Sequence, residues 1–518
     1  MADRLLLALD VGTQSARAIV FDARGTLIAR AQTAFRPYQS PKPGWAEQDV
    51  EVYWSALRDS CHRLWADDGI DPTSIAAVSL TTQRGSVVCL DEAGRPLRPA
   101  ILWLDKRMQP GLGNVPGPWG WLFRGLGVHE TIAQFRADAE SNWLLANQPE
   151  LWSRTRHFLF LSGYLTYRLT GHIRDSVGSQ VGYVPFSYNK QQWAHRWDWK
   201  WKAVCVKASQ LPELVPPGQP LGALTEAAAD ELGLPHGLQL IAAAGDKACE
   251  VLGSGALSAD VACLGYGTTA TINTVSEKYR EVIRYLPAYP AAVPGHFNTE
   301  IQIFRGFWMV SWFKQEFGAP EEEIAASAGL PTEAVLDQQI RDIPPGSEGL
   351  MLQPYWSPGI RDPGPEAKGA IIGFSDVHTR AHMYRAILEG LAYALRHGRE
   401  RIERTTRQPV RRLRVAGGGS QSDVAMQITA DVFGLPAERP HVYEASALGA
   451  AINAAVGIGL HPDYRSAVRA MTHVGEVFEP DPSAVRTYDR LYRRVYERMY
   501  ARMKPLYRQL RRTTGSPP

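Results

Sequence analysis

The chain has 518 residues, which is long for one domain and comfortable for two domains with separate hydrophobic cores. Hydrophobic residues make up 45% and charged residues 21%, as in ordinary soluble globular proteins, and a net charge of +3 gives no reason to expect a nucleic-acid or acidic-membrane partner. The five cysteines are scattered without a CxxC pair and no apolar stretch is long enough to span a bilayer, so we expect a cytoplasmic protein with reduced thiols.

Strand and helix patterns alternate along the chain. Apolar runs predict strands at 5–9, 18–21, 26–31, 75–80, 100–103, 238–244, 261–274 (two strands with a turn between them) and 413–416. Helical patterns are found at 50–65, 131–170, 383–396, from about 423, and at 445–456. The tail at 488–510 has the pattern of an amphipathic surface helix, and a basic interaction arm is the less favoured alternative.

A short turn joins the first two predicted strands. The first strand ends in Asp10, and Gly12, Thr13 and Gln14 follow before the second strand begins. Glycine lets backbone N–H donors approach a phosphate group closely, and the Thr13 hydroxyl adds a donor. A carboxylate in such a turn can hold Mg²⁺ or its waters. The alternative is a hairpin turn with a surface aspartate.

A related turn, Gly267-Thr268-Thr269, occurs about one domain later and again lies between two apolar strands. It lacks the acidic residue, so it would bind phosphate only through backbone and hydroxyl donors. Two such units in one chain indicate two phosphate-binding turns on either side of a cleft. They also fit a duplicated two-domain architecture better than a repeat solenoid.

A second carboxylate, Asp246, follows a buried apolar strand and a glycine. At a strand end it could accept the proton of a substrate hydroxyl that attacks phosphorus. The alternative, an ordinary helix N-cap, is equally supported by the local sequence.

Polar and aromatic side chains follow other predicted strands. Gln83 and Arg84 offer hydrogen-bond donors to adjacent hydroxyls, and Trp103 offers a flat apolar surface for a sugar; a salt-bridged pair of surface loops is the favoured alternative. Gly418 and Gly419 lie between a strand and a helix, where backbone can lie against a base or a ribose, although a simple tight turn explains them equally well.

Taken in chain order, these motifs resemble the FGGY carbohydrate kinases, the family of glycerol kinase, xylulokinase and ribulokinase. The matching segments are 9–13, 43–48, 83–85, 101–107, 168–171, 245–246, 267–269, 385–390, 417–420, 430–434 and 447–451. The resemblance implies an α/β fold of two ribonuclease-H-like (actin-like ATPase) domains flanking a deep cleft. We expect an N-terminal domain at 1–247, a nucleotide-binding domain at 248–470 and a helical tail at 471–518.

The resemblance also implies ATP as phosphoryl donor, Mg²⁺ as cofactor and a role for each motif. Asp10 and Asp246 would hold the metal, and Asp246 would be the general base. Gly12, Thr13, Gln14, Gly267, Thr268 and Thr269 would bind phosphates, with Gly418 and Gly419 along the adenosine. The sugar would be bound by Gln83, Arg84, Trp103, Asp246 and Lys247.

Departures from the family pattern concern the acceptor. Gly85 stands where glycerol kinases have a glutamate, which argues against glycerol, and the Met-His-Gly signature of xylulokinase is replaced by Gln83-Arg84-Gly85. Lys247 follows the predicted base, where it could lower the pKa of Asp246 or contact the substrate. We expect a kinase for a free sugar, ketose or polyol, with xylulose- or ribulose-like acceptors favoured over glycerol. A homodimer is possible. The alternatives are an actin- or chaperone-like ATPase and a non-catalytic sugar-binding protein on the same fold.

Overall fold

The computed structural model describes residues 4–359 and 363–515. These pack as two compact units. The first unit comprises the described residues of Met1–Gly253, Tyr289–Phe297 and Ser446–Met471, and the second those of Ser254–Ala288, Asn298–Ala445 and Thr472–Pro518. The units differ from the predicted domains because 446–471 packs with the first unit and the tail packs with the second. The predicted domain limits themselves stay a prediction.

Secondary structure in the first 253 residues is mixed. The strands are β1 Leu5–Val11, β2 Ser15–Phe21, β3 Leu27–Ala34, β4 Glu47–Gln48, β5 Ile75–Thr82, β6 Val87–Leu90, β7 Ala100–Ile101, β8 His157–Phe160, β9 Arg174–Ser176, β10 Phe186–Ser187, β11 Gln192–Trp193, β12 Glu213–Val215, β13 Pro220–Ala223 and β14 Gln239–Ala242. The helices are α1 Val50–Ala66, α2 Pro118–Gly125, α3 His129–Asp138, α4 Glu140–Asn147, α5 Pro149–Arg154, α6 Leu161–Thr170, α7 Lys200–Ala203, α8 Glu226–Leu232 and α9 Asp246–Gly253.

The remainder of the chain continues the pattern. Its strands are β15 Val261–Tyr266, β16 Ala270–Ser276, β17 Tyr289–Pro290, β18 Phe297–Ile303, β19 Met351–Gln353, β20 Ala370–Ile372, β21 Arg412–Ala416, β22 Ala437–Pro440 and β23 Val474–Phe478. Its helices are α10 Trp308–Phe317, α11 Ala319–Ala328, α12 Thr332–Ile340, α13 Arg380–Thr406, α14 Asp423–Phe433, α15 Ala445–Gly457, α16 Tyr464–Met471, α17 Pro482–Leu491 and α18 Glu497–Thr514.

The main sheets of the two units have matching topology. The first has the order β13-β14-β5-β1-β2-β3, in which β1 and β2 form an antiparallel hairpin and β5 and β14 continue in parallel with β1. The second unit repeats this order as β23-β22-β21-β15-β16-β18, with β15 antiparallel to β16 and parallel to β21. The duplication predicted from the two Gly/Thr turns is therefore present in the sheets.

Burial explains why these segments form the central strands. Every residue of β1 after Leu5 is buried, and so is every residue of β15, as expected of strands covered on both faces. Helix α1 begins at an N-cap, Asp49, whose side chain accepts from the Glu51 N–H, and it buries Trp54, Leu57 and Leu64 against the first sheet.

The predicted helical region at 131–170 is interrupted by a strand. His157–Phe160 forms β8, which pairs with β6 in a separate four-stranded sheet, between the helices α5 and α6. The long-range pairing that selects a strand here is not visible in the helical pattern of the flanking residues.

The tail forms an amphipathic helix, as its pattern predicts. Tyr488, Tyr492 and Tyr496 are buried, and Tyr488 Oη donates to Glu389 Oε1 of α13 at 2.7 Å. Glu389 also accepts from Arg385 Nε at 2.9 Å, so the Arg385–Gly390 segment lies in the core of the second unit. Among the described residues, no helix has both the length and the apolar character needed to cross a membrane.

Candidate active site

Three predicted site segments lie at one edge of the first sheet. Because β1, β5 and β14 are parallel neighbours, their carboxyl ends meet at the same edge. Asp10 pairs in register with Thr81, and Leu80 pairs with Ala242. The turn after Asp10, the Gln83-Arg84 segment and Asp246 are therefore brought together by strand order, as predicted.

The first turn is a tight hairpin whose carboxylate is buried. The Gly12 N–H donates to the Ser15 carbonyl at 3.0 Å, and Asp10 is 5% exposed. Asp10 pairs with Arg17 across the hairpin, and Arg17 Nη1 lies 3.1 Å from Asp10 Oδ2. The sequence analysis missed Arg17, although counting outward from the turn places residue 17 opposite residue 10 in an antiparallel hairpin.

A chain of hydrogen bonds connects this turn with two predicted sugar-binding residues. Trp103 Nε1 donates to Thr13 Oγ1 at 3.1 Å, Thr13 Oγ1 donates to Gln83 Oε1 at 2.8 Å, and Gln83 Nε2 donates to Tyr53 Oη at 3.1 Å. Gln83 is buried, whereas Trp103 is 40% exposed. The chain fixes the Gln83 amide and leaves much of the indole surface accessible.

Asp246 follows β14 after a short connection and is the first residue of α9, so it lies near a strand end and at the start of a helix; its role as a base stays a prediction. Its Oδ1 accepts the N–H of Lys247 at 2.7 Å and lies 3.8 Å from Arg84 Nε. Its side chain is 31% exposed, so the carboxylate is accessible to a ligand.

The carboxylates of Asp246 and Asp10 both act electrostatically on one neighbouring thiol, that of Cys249. The pKa of the Cys249 thiol is raised to about 12, mainly by burial and to a smaller extent by the charges of Asp246 and Asp10. Both carboxylates therefore lie within electrostatic range of the same buried group, which places them in one region of the first unit.

Arg84 is held by residues that the sequence analysis missed. Its guanidinium lies 5.3 Å from the ring centre of Tyr289, and Tyr289 packs edge-to-face on Tyr188 at 5.8 Å. A Cβ at Gly245 would lie 2.7 Å from Arg84 Cγ, so glycine at this position makes room for the arginine. Nothing in the local sequence connects the two tyrosines with Arg84, because they are distant in the chain.

Lys247 is paired within its own helix. Its Nζ lies 3.2 Å from both carboxylate oxygens of Glu250, three residues further along α9. Both side chains are largely buried. The spacing of a helical ion pair was present in the sequence, but Glu250 was not among the predicted site residues.

Asp105 and Arg107, which follow Trp103, form a buried ion pair. Arg107 Nη2 lies 2.7 Å from both Asp105 Oδ2 and Glu47 Oε1, and its guanidinium lies over the rings of Trp45 and Trp143. The ion pair of Asp105 and Arg107 lies within one loop and is buried, so it differs from the favoured alternative, a salt bridge on the surface between this loop and that of Gln83 and Arg84.

The second Gly/Thr turn lies at the corresponding edge of the second sheet. The Gly267 carbonyl accepts the Phe307 N–H at 3.0 Å and the Thr268 carbonyl accepts the Gly306 N–H at 2.8 Å. Thr269 Oγ1 donates to the Phe304 carbonyl at 3.2 Å. A neighbouring segment thus fixes the turn through its carbonyl groups.

The Gly-rich turn is next to it. Gly265 pairs with Ala416 in the parallel β15–β21 ladder, so the turns that follow these strands share an edge. Gly418 begins a short 3₁₀ turn that leads to α14, whose N-cap is Ser422. A Cβ at Gly419 would lie 2.4 Å from the ring of Phe307, which stacks on Tyr266.

Three of the predicted ligand-binding glycines are not required by protein packing. A Cβ at Gly12 or Gly267 would meet its nearest backbone oxygen at 3.6 Å, an ordinary contact, and a Cβ at Gly418 would meet nothing within 4 Å. None of the three has a positive φ. In contrast, Gly417 has φ 87° and a crowded Cβ position. Neither packing nor backbone conformation therefore requires glycine at Gly12, Gly267 or Gly418.

Most of the chain is similar in sequence to known proteins. Residues 5–253 match the N-terminal domain of the FGGY family of carbohydrate kinases, and residues 262–458 match its C-terminal domain. The xylulose kinase of Lactococcus lactis is 29% identical over 490 residues, 94% of each chain. The glycerol kinase of Methylibium petroleiphilum is 30% identical over 482 residues, 88% of this chain and 91% of that protein.

Solved structures show the same fold. The crystal structure of xylulose kinase from Rhodospirillum rubrum has a TM-score of 0.77 at 26% identity and covers 98% of this chain and 100% of that one. Gluconate kinase from Lactobacillus acidophilus has a TM-score of 0.78 at 22% identity, covering 98% of both chains. These likenesses confirm the predicted pair of ribonuclease-H-like α/β domains. The chain belongs to the FGGY family of carbohydrate kinases and is an ATP-dependent sugar kinase.

Proposed function

We propose that the protein transfers the γ-phosphoryl group of ATP to a hydroxyl of a free ketose or polyol, with Asp246 as the general base. The observation that carries this proposal is the meeting of an accessible carboxylate, Arg84 and the Thr13–Gln83 chain at one edge of the first sheet. A hydroxyl acceptor needs a base within hydrogen-bond reach and donors that orient its other hydroxyls.

The acceptor side is assigned to the first unit. Arg84 has nitrogen donors next to the base and is held over Tyr289, so it can orient a hydroxyl beside Asp246. Gln83 is held through both ends of its amide, and Trp103 offers an accessible ring surface to the C–H face of a sugar. Lys247 is engaged by Glu250, which favours a neutral acceptor over an acidic one.

The donor side is assigned to the Gly/Thr turns. Gly12, Thr13 and Gln14 bind phosphate from the first unit, and Gly267, Thr268 and Thr269 bind it from the second. Gly418 and Gly419 lie along the adenosine. The support is steric, because Gly12, Gly267 and Gly418 each have room that no packing or backbone requirement explains.

The carboxylates fit a magnesium ion that is shared with ATP. Mg²⁺ in phosphoryl-transfer sites is bound through one or two carboxylates together with phosphate oxygens and water. Among the described residues, no group of three or more acidic, histidine or cysteine ligands is present, which fits this sparse arrangement rather than an all-protein metal cage. Asp10 and Asp246 are the residues that would hold the ion, and it would neutralise charge on the phosphates.

The chemistry then needs little covalent assistance. Asp246 accepts the proton of the acceptor hydroxyl as the hydroxyl oxygen attacks the γ-phosphorus, and ADP leaves with the electrons of the broken P–O bond. Arg84 Nε lies 3.8 Å from Asp246 Oδ1, so the arginine and the base can contact the same acceptor. Gln83 and Trp103 restrict the acceptor to one orientation.

The test combines an acceptor panel with Asp246→Asn. With ATP and Mg²⁺, we expect pentuloses and polyols to stimulate ADP release more than glycerol does, because Gly85 lacks the carboxylate of glycerol kinases. Asp246→Asn should lower kcat about 10²–10⁴-fold. Full activity of this variant would refute Asp246 as the base. Sugar-independent ATP turnover stimulated by a protein would favour the protein-binding ATPase instead.

The remaining expectations concern the environment of the enzyme. A cytoplasmic location remains a proposal for this chain, supported by its scattered cysteines, and a homodimer is proposed from the resemblance to the family alone. Light scattering of the purified protein measures the oligomeric state directly, and a monomer across the working concentration range would refute the dimer.

A further inference from the structure

One fully buried carboxylate, Asp175, has no part in the mechanism above. It is 0% exposed and lies at the strand β9. Its Oδ2 accepts from Ser162 Oγ at 2.9 Å and Gln180 Nε2 at 2.7 Å, and its Oδ1 accepts from the Ser176 N–H at 2.8 Å. Burying a carboxylate costs desolvation free energy, and hydrogen bonds from three donors offset part of that cost. The same bonds fix the donors relative to Asp175.

The segment that Asp175 holds is bonded to the end of β14. Ser176 Oγ donates to the Ala243 carbonyl and also accepts the Gly178 N–H at 3.1 Å. Gly178 forms a parallel bridge with Ala244, and its carbonyl accepts the Gly245 N–H at 3.2 Å. The next residue is Asp246, so this segment determines where the backbone before the base lies.

The contact between the two segments leaves little space. A Cβ at Gly178 would lie 2.5 Å from the Ala244 Cβ, so the two backbones are at the closest approach that glycine allows. On the other side, Thr81 Oγ1 donates to the Ala244 carbonyl at 2.8 Å. Because Ala244 is held from both sides, a shift of the 176–180 segment is transmitted to Gly245 and the start of α9.

We propose that Asp175 is a positioning residue, which acts through Ser176 and Gly178 to fix Asp246 relative to the acceptor hydroxyl. The inference rests on the proposed function, in which Asp246 is the base. Asparagine at position 175 would keep the shape but place an NH₂ group against at least one of the three donors. The 176–180 segment would then lose one of its anchors, and the base would lose its fixed position.

The experiment is a double-mutant cycle with Asp175→Asn and Asp246→Asn in the full-length enzyme, measured as sugar-dependent kcat with ATP and Mg²⁺. A displacement near 1 Å at a reacting group can cost about 100-fold in rate, so we expect Asp175→Asn to lower kcat about 10- to 100-fold. The KM for ATP should change less than about 2-fold, since that substrate binds elsewhere. In the Asp246→Asn background the same substitution should have no further effect on kcat, because it acts only through the base.

A matched control separates positioning from general destabilisation. Asp431 in the second unit is also buried, and like Asp175 it accepts one backbone N–H, that of Asp481, and one glutamine amide, that of Gln427. Neither partner belongs to the site. Asp431→Asn should therefore lower thermal stability by a similar amount and leave kcat unchanged at temperatures where both variants are folded.

A second variant keeps the inference testable if Asp175→Asn does not fold. Ser176→Ala removes only the hydroxyl that bonds to Ala243, and we expect it to lower kcat about 3- to 10-fold as the loss of one hydrogen bond does. A folded Asp175→Asn with wild-type kcat, or an unchanged Ser176→Ala where the first variant is unfolded, would overturn the inference. So would an equal loss of kcat in Asp431→Asn or in the Asp246→Asn background.

The outcome also separates this inference from the proposed function. Full activity of Asp246→Asn would refute the base and the positioning role together. An impaired Asp246→Asn combined with an unaffected Asp175→Asn would refute only the positioning role.

Discussion

Thr13 provides the sharpest test of the geometry of the first turn. Its hydroxyl donates to Gln83 Oε1 at 2.8 Å and accepts from Trp103 Nε1 at 3.1 Å. Thr13→Val keeps the shape of the side chain and removes both bonds. Gln83 is 4% exposed, so its oxygen would lose its donor in a buried position, whereas the exposed Trp103 indole can bind water instead.

The expected cost follows from this asymmetry. An unsatisfied buried acceptor costs about 1–3 kcal/mol, and the bond to the exposed indole adds little. At roughly 2–4 °C per kcal/mol for a unit of this size, the first unit should melt about 2–12 °C lower. Thr13→Ser keeps the hydroxyl and loses a methyl group that is only partly buried, so it should cost less than about 1 kcal/mol.

Calorimetry of the three proteins, followed by acceptor kinetics, measures both consequences. In Thr13→Val the Trp103 indole and the Gln83 amide lose their fixed orientation. This should raise the KM for the acceptor about 10-fold, which corresponds to about 1.4 kcal/mol of acceptor binding free energy. Thr13→Ser should stay close to wild type in both measurements. If serine destabilises as much as valine, or if valine is neutral, the hydrogen-bonded chain is not what holds Gln83.

Three further predictions concern other positions. Gly418→Ala has free space for its Cβ, so it should raise the KM for ATP and leave the melting temperature unchanged. Gly419→Ala would place its Cβ 2.4 Å from an aromatic ring, so it should raise the KM for ATP and in addition lower the free energy of unfolding by about 1–3 kcal/mol. Gly245→Ala would place a Cβ 2.7 Å from Arg84 Cγ and should raise the KM for the acceptor more than that for ATP in steady-state kinetics. Burial raises the pKa of Asp175 from 3.8 to about 7, so between these pH values the native state keeps a proton that the unfolded chain loses. This proton adds to the free energy of unfolding. Its contribution is full below about pH 4 and is lost as pH rises towards 7. Between pH 5 and pH 8 the wild type should lose about 3 kcal/mol more than Asp175→Asn, from two pH units at 1.36 kcal/mol each, and parallel pH profiles of melting temperature would contradict this.

The parts of the site that the sequence predicted are those with a local cause. A strand that ends in Asp10 and a Gly-Thr turn is specified by neighbouring residues, and so is Asp246 after an apolar run. Their meeting was implied by the resemblance to the FGGY kinases, and the structure explains it by the parallel order of β1, β5 and β14, whose carboxyl ends share an edge. The match of the second sheet to the first followed in the same way from the second Gly/Thr turn.

The parts that could not be predicted depend on partners far away in the chain. Tyr289 supports Arg84 and Asp175 supports the end of β14, and neither has a local pattern that differs from that of an ordinary core residue. The burial of Asp105 and Arg107 against tryptophans was equally hidden, because sequence spacing does not reveal which side of a loop faces the core. In contrast, the Lys247–Glu250 pair and Arg17 could have been found from helical and hairpin spacing.

The two sheets match in topology, but the side chains at their edges differ, and this difference explains why the acceptor is assigned to the first unit. At the edge of the first sheet the strand ends carry Asp10, Arg84 and Asp246, whereas the corresponding turns of the second sheet carry glycine and threonine. Proton removal and hydroxyl recognition need charged side chains, but a nucleotide can be bound by backbone donors alone. Substitutions of Arg84 should therefore act mainly on acceptor kinetics, and those at the second edge mainly on ATP binding. A variant at Gly418 that changed the KM for the acceptor alone would contradict this division.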